Sequence, residues 1–148
     1  NGEKIAHYLR QHPKVSKVHW CGFEDHPNHP VAKAQMRGFG GMMSFELKDN
    51  TVAAAEKVLS STQLFACAES LGGVESLISH PAMMTHASVE PERRIALGIT
   101  DGLVRLSCGV EDIGDLLADL DQACQGLPEL ASRTAGGSRP AKAAATPA

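Results

Sequence analysis

The strongest constraint on the fold is a strand pattern followed closely by a helix pattern in residues 103–124. The segment 103–108 alternates between two faces, with Arg105 and Ser107 opposite the apolar side chains at 104, 106 and 108. Residues 113–124 then place apolar side chains at i, i+3, i+4, i+7 and i+11, behind Asp112 as an N-cap. A half-buried strand that leads into an amphipathic helix is therefore predicted here.

Helix and strand patterns also alternate upstream of residue 103. The predicted helices cover residues 3–11, 31–36, about 51–60 (with Asp49 or Asn50 as N-cap) and 92–97; the predicted strands cover residues 15–20, 42–47 and 64–68. Residues 21–30 read as loop, while 74–78 and 80–89 fit neither period clearly. This alternation predicts an α/β or α+β fold with one sheet and with helices mainly on one face.

Composition changes after residue 130, which divides the chain into a domain at 1–130 and a tail at 131–148. The tail consists mainly of Ala, Gly, Pro, Ser and Thr, so it cannot bury enough apolar surface to offset the entropy of ordering and is predicted to be disordered. The chain begins at Asn1 and enters a helix pattern at once. We therefore expect it to be a piece of a longer protein.

Charge and hydropathy exclude two classes of partner. The 14 Lys and Arg residues against 17 Asp and Glu give a net charge of −3, which disfavours sequence-independent binding to nucleic acid. No apolar run approaches the roughly 18–20 residues that span a bilayer. We expect neither nucleic acid nor membrane as a partner.

The cysteines and histidines give little sign of a metal site. The four cysteines are widely spaced, and most lie in apolar patterns, which favours reduced thiols in the core of a cytoplasmic protein. Cys21, His26 and His29 share one loop, but no second compact pair of ligands accompanies them, as a zinc site would need. We predict no metal.

Arg105 is the residue whose position calls for an explanation. A guanidinium on an otherwise apolar strand must reach solvent or an anion, and its planar fork fits a carboxylate with two hydrogen bonds. An edge-strand arginine that pairs with a structural acid fits the pattern at least as well as an arginine that binds substrate.

Three long motifs resemble one enzyme family. They are Ala68-Glu-Ser-Leu-Gly-Gly-Val-Glu-Ser-Leu-Ile78, His80-Pro-Ala-Met-Met-Thr-His-Ala-Ser-Val89 and Gly102-Leu-Val-Arg-Leu-Ser-Cys-Gly-Val-Glu-Asp112. In this order and spacing they resemble the pyridoxal-phosphate-dependent trans-sulfuration enzymes of Cys/Met metabolism, above all the cystathionine γ-synthases and γ-lyases. The Gly38–Leu47 stretch matches too, and the resemblance runs from about residue 1 to 123.

The resemblance implies the C-terminal small domain of a fold-type I pyridoxal-phosphate enzyme, with a mostly antiparallel sheet. Pyridoxal 5'-phosphate would be bound by a missing N-terminal part, since no lysine here has the family's Ser-x-Thr-Lys context. No catalytic and no cofactor-binding residue is then expected in this chain, which alone would be inactive. A homotetrameric full-length enzyme in the cytoplasm is also implied.

The resemblance further implies which residues contact substrate. Arg105 and Ser70 would bind the α-carboxylate, and Glu69 would face the substrate side chain. Thr85 would lie near the carboxylate, with Leu71 as an apolar neighbour. Without the resemblance, Glu69 also fits a solvated acid at a strand end, and Thr85 also fits a turn residue.

Two kinds of function follow. The first is a trans-sulfuration enzyme, expected to be a cystathionine γ-synthase that joins cysteine to an activated homoserine in γ-replacement. A cystathionine γ-lyase, which forms cysteine, 2-oxobutanoate and ammonia by γ-elimination, is the alternative within that class. The second kind is a stand-alone, non-catalytic binding or oligomerisation module.

Overall fold

The computed structural model describes residues 1–128 as an alternation of helices and strands. The helices are α1 (Gly2–Gln11), α2 (His29–Gln35), α3 (Val52–Ser61), α4 (Pro91–Ala96) and α5 (Ile113–Gln125). The strands are β1 (Val15–His19), β2 (Met42–Leu47), β3 (Ala66–Cys67), β4 (Leu77–Ser79) and β5 (Leu103–Ser107). The predicted tail at 131–148 lies outside the described residues.

The strands form one sheet in the order β1-β2-β5-β4-β3. All neighbours are antiparallel except β3 and β4, which run parallel. The expected mixed fold with a mostly antiparallel sheet is confirmed. Because β5 is the central strand, the description of Arg105 as an edge-strand residue is wrong.

The hydrophobic core lies on one face of the sheet, where α1, α3 and α5 pack. Along β2 the predicted alternation appears as buried Met43, Phe45 and Leu47. Their register partners Leu106 and Val104 on β5 are fully buried on the same face. The opposite face therefore carries the other set of side chains, which includes Arg105.

The helix caps agree with the sequence at one helix and differ at another. Asp112 caps α5 as predicted, since its carboxylate accepts from the backbone N–H groups of Gly114 and Asp115. Asp49 and Asn50 do not cap α3, because Thr51 does so by accepting from the N–H of the third helical residue. The amide oxygen of Asn50 instead accepts from the N–H of residue 102 at 2.6 Å.

Several other element boundaries differ from the sequence-based prediction. The strand expected over 64–68 is reduced to two residues, and the helix expected at 31–36 already begins at His29. A strand forms at Leu77–Ser79, which overlaps the end of the ambiguous region 74–78. All four cysteines are free, as expected. Cys124 lies in the core and Cys108 packs against it, whereas Cys21 is partly buried and Cys67 is exposed, so the expectation of core thiols is wrong for Cys67.

Asp119 of α5 fixes the chain that leads into β3. Its side chain is buried and accepts hydrogen bonds of 2.7–3.1 Å from the backbone N–H groups of residues 63–65. Burial alone would raise the pKa of Asp119, but these hydrogen bonds outweigh it and lower the pKa below the ordinary value. The carboxylate therefore stays charged and attaches the loop to α5.

Helices long and apolar enough to cross a membrane are absent from the described part of the chain.

Candidate functional site

Arg105 projects from the middle of the sheet on the face away from the core. It stands between Ser44 on β2 and Ser79 on β4, its partners in the two antiparallel registers. The side chain is only partly exposed, and Nη2 donates to the carbonyl oxygens of Glu69 at 2.6 Å and Ser70 at 3.3 Å. The predicted trio of Arg105, Glu69 and Ser70 is therefore brought together.

The contacts of Arg105 bear on the two interpretations that its sequence left open. A structural acid was one of them, but within residues 1–128 Arg105 forms no salt bridge. Nη2 is the one guanidinium nitrogen of Arg105 that has a hydrogen-bond partner among the described residues. Nε and Nη1 are left available, so the group retains donors for a carboxylate.

The loop at residues 68–76, which carries Glu69 and Ser70, is tied to β5 at its middle. The N–H of Gly72 donates to the hydroxyl of Ser107 at 2.8 Å. Gly72 has φ of +74°, which glycine adopts without strain, and open space surrounds the position of an added Cβ. The chain bends at this position, and the glycine is needed for its backbone angle rather than for a close approach.

A close approach occurs instead at Gly109, which the sequence did not single out. A Cβ at Gly109 would lie 2.2 Å from the carbonyl oxygen of Val74, and the next residue, Val110, donates its N–H to that oxygen at 2.9 Å. Only a glycine allows the two chain segments to lie so near each other. The loop is thus packed directly against the chain that follows β5.

Glu111 and Ser76 form the second tie of the 68–76 loop. The carboxylate of Glu111 accepts from the N–H of Ser76 at 2.6 Å and from its hydroxyl at 2.7 Å. The hydroxyl in turn accepts from the N–H of Gly109 at 2.9 Å, and Ser76 is fully buried. These contacts hold the end of the loop to the turn between β5 and α5.

The charge of Glu111 strengthens this tie. Burial by itself would raise the pKa of Glu111, but the backbone N–H and hydroxyl of Ser76 outweigh that effect and lower the pKa below its ordinary value. The carboxylate is therefore ionised at neutral pH, and its hydrogen bonds to Ser76 are charge-assisted.

The other two predicted site residues are Leu71 and Thr85, which make no hydrogen bond to Arg105 within the described residues. Leu71 follows Ser70 in the chain and is 54% exposed, so it presents an apolar side chain to solvent. Thr85 is exposed in the 80–89 segment, and its hydroxyl lies 2.8 Å from Nδ1 of His86. No hydrogen bond links Thr85 to Arg105 within the part of the chain that the structure describes.

Ser44, Ser79 and Glu111 are site neighbours that the sequence analysis missed. Ser44 and Ser79 flank Arg105 only because β2 and β4 lie on either side of β5, and strand order is not visible in the local pattern. Glu111 does stand inside one of the family-like motifs, but nothing in that motif identifies Ser76 as its partner.

Of Cys21, His26 and His29, which the sequence places close together, His29 is the first residue of α2 and makes contacts of a structural kind. The ring of His29 stacks on Phe39 and approaches the carbonyl oxygen of Cys21 at 2.9 Å. Residues 1–128 contain no group of three His, Cys, Asp or Glu side chains that could hold a metal ion.

The sequence model of the Cys/Met metabolism PLP-dependent enzymes matches residues 1–125. The chain belongs to this family. A cystathionine β-lyase of Coxiella burnetii is 55% identical over 123 residues, which cover 83% of this chain and 32% of the relative. A cystathionine γ-lyase of Bacillus subtilis is 50% identical over 127 residues, which cover 86% of this chain and 33% of that relative.

Solved structures agree with the family assignment. A cystathionine γ-synthase from Xanthomonas oryzae superposes with a TM-score of 0.78 at 48% identity, with 84% of this chain and 32% of that one covered. A cystathionine γ-lyase from Micromonospora echinospora gives 0.79 at 42% identity, with the same coverage. The chain thus spans about a third of the length of the proteins that it matches.

Proposed function

We propose that residues 1–130 are the C-terminal domain of a pyridoxal-phosphate-dependent trans-sulfuration enzyme and supply the binding site for the α-carboxylate of its amino-acid substrate. The observation that carries this proposal is the position of Arg105. It is a partly exposed cation in the central strand, without an acidic partner among the described residues, and it contacts the loop that carries Glu69 and Ser70.

Each site residue then has a physical role. The guanidinium of Arg105 can donate to both oxygens of a carboxylate, and the hydroxyl or N–H of Ser70 can add a third donor. A carboxylate fixed in this way orients the amino group and the Cα–H bond of the substrate, which lowers the barrier through positioning. The carboxylate of Glu69 would receive the distal amino group of cystathionine, with Leu71 beside it and Thr85 near the bound carboxylate.

The cofactor of the family is pyridoxal phosphate. Pyridoxal phosphate, when bound, withdraws electrons from the bonds at the substrate Cα. Residues 58–128, which include the 68–76 loop, the 80–89 segment and β5, contain no lysine that could hold the cofactor there. We propose that another part of the protein binds it, that this chain alone is inactive, and that the full-length enzyme is a cytoplasmic homotetramer.

For the reaction, we propose cystathionine γ-synthase activity, which is supported by the 48% identity to a solved enzyme of that name. Cystathionine γ-lyase is the second candidate, and a Bacillus subtilis enzyme of that name is 50% identical. The purified full-length enzyme distinguishes them. A synthase forms cystathionine from cysteine and an activated homoserine, whereas a γ-lyase releases 2-oxobutanoate and ammonia from cystathionine alone.

The carboxylate site is tested by Arg105→Lys in the full-length enzyme. Lysine keeps the charge but loses the two-pronged hydrogen bond, so we expect kcat/KM to fall about tenfold to hundredfold, as the loss of a hydrogen bond between charged groups implies. Steady-state kinetics with cystathionine, or with activated homoserine and cysteine, measure the change.

A matched control is Arg37→Lys, the same substitution at an exposed arginine of the loop before β2. It should leave kcat/KM unchanged. Wild-type efficiency in Arg105→Lys, or an equal loss in both variants, would contradict the assignment of Arg105 to the substrate carboxylate.

A further inference from the structure

Ser79 carries a buried hydroxyl that has no hydrogen-bond partner in the described part of the chain. Within the described residues, the side-chain atoms that are buried without a hydrogen bond are Oγ of Ser79, Nδ1 of His80 and Oγ1 of Thr100. Ser79 is 1% exposed. A buried hydroxyl that has given up water and gained no partner costs free energy, so nearly all such groups are paired in folded proteins. We therefore expect the hydroxyl of Ser79 to gain a hydrogen-bond partner in some state of the protein.

The sheet register identifies the side chain that lies opposite Ser79 on the neighbouring strand. Ser79 on β4 stands directly opposite Arg105 on β5. Residues directly opposite in an antiparallel pair project to the same face, with Cβ atoms roughly 4.5–5.5 Å apart. The preceding pair, Ile78 and Leu106, is fully buried in the core, so Ser79 and Arg105 share the other face. The side chain of Arg105 is long and flexible, so its guanidinium can reach the Ser79 hydroxyl, which lies near the Cβ of Arg105.

Burial also limits what else could reach this hydroxyl. Its oxygen is closed to solvent, so a substrate carboxylate cannot approach it directly. The side chain of Arg105 is already part of the structure and has further donors, since among residues 1–128 only its Nη2 is engaged, by the carbonyls of Glu69 and Ser70.

We propose that Ser79 is a positioning residue for Arg105. When the guanidinium turns from the loop carbonyls to a carboxylate, its two Nη groups face the ligand and the Nε–H donates to Oγ of Ser79. The hydroxyl then has its partner only in the ligand-bound state, and it fixes the angle at which the fork meets the carboxylate. This inference rests on the proposed carboxylate site.

The test is a double-mutant cycle in the full-length, cofactor-loaded enzyme, with glycine as a carboxylate ligand and glycinamide as the analogue in which a neutral amide replaces the carboxylate. Calorimetry gives both dissociation constants for wild type, Ser79→Ala, Arg105→Lys and the double variant. We expect Ser79→Ala to weaken glycine about tenfold, the lower end for a hydrogen bond to a charged group, and to leave glycinamide unchanged. In the Arg105→Lys background the same change should cost nothing more.

Two further variants separate positioning from structure. Thr100→Val removes another buried, unpaired hydroxyl that does not face Arg105, and it should leave both constants unchanged. Ser79→Thr keeps the hydroxyl and should retain most of the affinity for glycine. Because Ser79→Ala removes a buried hydroxyl that has no partner among the described residues, the variant should fold, with a urea midpoint no lower than that of the wild type.

The outcomes also separate this inference from the proposed function. If Arg105→Lys weakens glycine and Ser79→Ala does not, the role of Ser79 is wrong while the carboxylate site stands. Equal losses for glycine and glycinamide, or a full loss from Ser79→Ala in the Arg105→Lys background, would also overturn it. If Arg105→Lys leaves the preference for glycine intact, the carboxylate site fails, and Ser79 with it.

Discussion

Removing the charge of Glu111 should release the loop that carries Glu69 and Ser70 of the proposed carboxylate site. In the structure the carboxylate accepts two short hydrogen bonds from Ser76, whose N–H and hydroxyl are fully buried, so water cannot replace the lost acceptor. Each hydrogen bond to a charged group is worth about 1.5–3 kcal/mol, and a Glu111→Gln side chain retains one neutral acceptor and turns an NH₂ group toward the other donor. We expect the local opening free energy to fall by about 2–4 kcal/mol.

Hydrogen–deuterium exchange in the native state measures this change where it occurs. The amides of Gly72 and Ser76, which the ties of the loop protect, should exchange about thirtyfold faster or more in Glu111→Gln, the fold-change that corresponds to 2 kcal/mol. The amides of α1 take no part in the hydrogen bonds of Gly72 and Ser76, so they should keep their protection. Because the proposed carboxylate site includes Ser70 of this loop, the full-length enzyme of the proposed function should also show a higher KM for its amino-acid substrate.

The pH dependence gives an independent test of the same tie. The pKa of Glu111 is lowered in the folded protein below the ordinary value of 4.5, so its contribution is complete above 4.5 and is lost as pH falls through the folded pKa. The difference between wild type and Glu111→Gln should therefore be constant from pH 5 to 7 and shrink below pH 4.5. Glu75→Gln makes the same charge change at an exposed carboxylate and should alter neither exchange nor its pH profile. Unchanged exchange in Glu111→Gln would refute the reasoning.

The elements with a clear buried face were predicted well because local periodicity and burial coincide there. Alternation in β2 and the i, i+3, i+4 stripe of α5 both place their apolar residues in the core. The strand Leu77–Ser79 was ambiguous for the opposite reason. All three of its residues are buried, so the segment shows no alternation of apolar and polar side chains. It forms a strand because it pairs with β5 on one side and β3 on the other, and the local sequence does not show this pairing.

The N-terminus of α3 shows why local rules fail where several candidates compete. Asp49, Asn50 and Thr51 are consecutive residues of the types that cap helices. Asn50 is committed instead to the N–H of Gly102, which lies 52 residues away in the sequence. A local pattern contains no information about that contact, so the position of the cap could not be chosen from the sequence.

The candidate site divides in the same way. Arg105 stood out because a charge interrupts an apolar strand, and its neighbours Glu69 and Ser70 came from the resemblance to a family. Their meeting in space, through Nη2 and two backbone carbonyls, agrees with that expectation. Ser79 could not be found, since a serine at the end of a short strand has no distinctive pattern and matters only because β4 lies next to β5.

Two further predictions concern buried charge and thiol reactivity. Asp119→Asn should lower the free energy of unfolding by about 2–4 kcal/mol in urea titrations at pH 7, because three N–H groups of residues 63–65 lose a charged acceptor, and a loss under 0.5 kcal/mol would contradict that role. Alkylation by iodoacetamide at pH 8 should modify Cys67 first, because its side chain is exposed. Burial raises the pKa of Cys108 and that of Cys124 to about 12, so both remain thiols at that pH and should react only after the protein unfolds. Peptide mass spectrometry of a time course reads the order, and labelling of Cys124 in the folded protein at the rate of Cys67 would show that α5 is not packed as described.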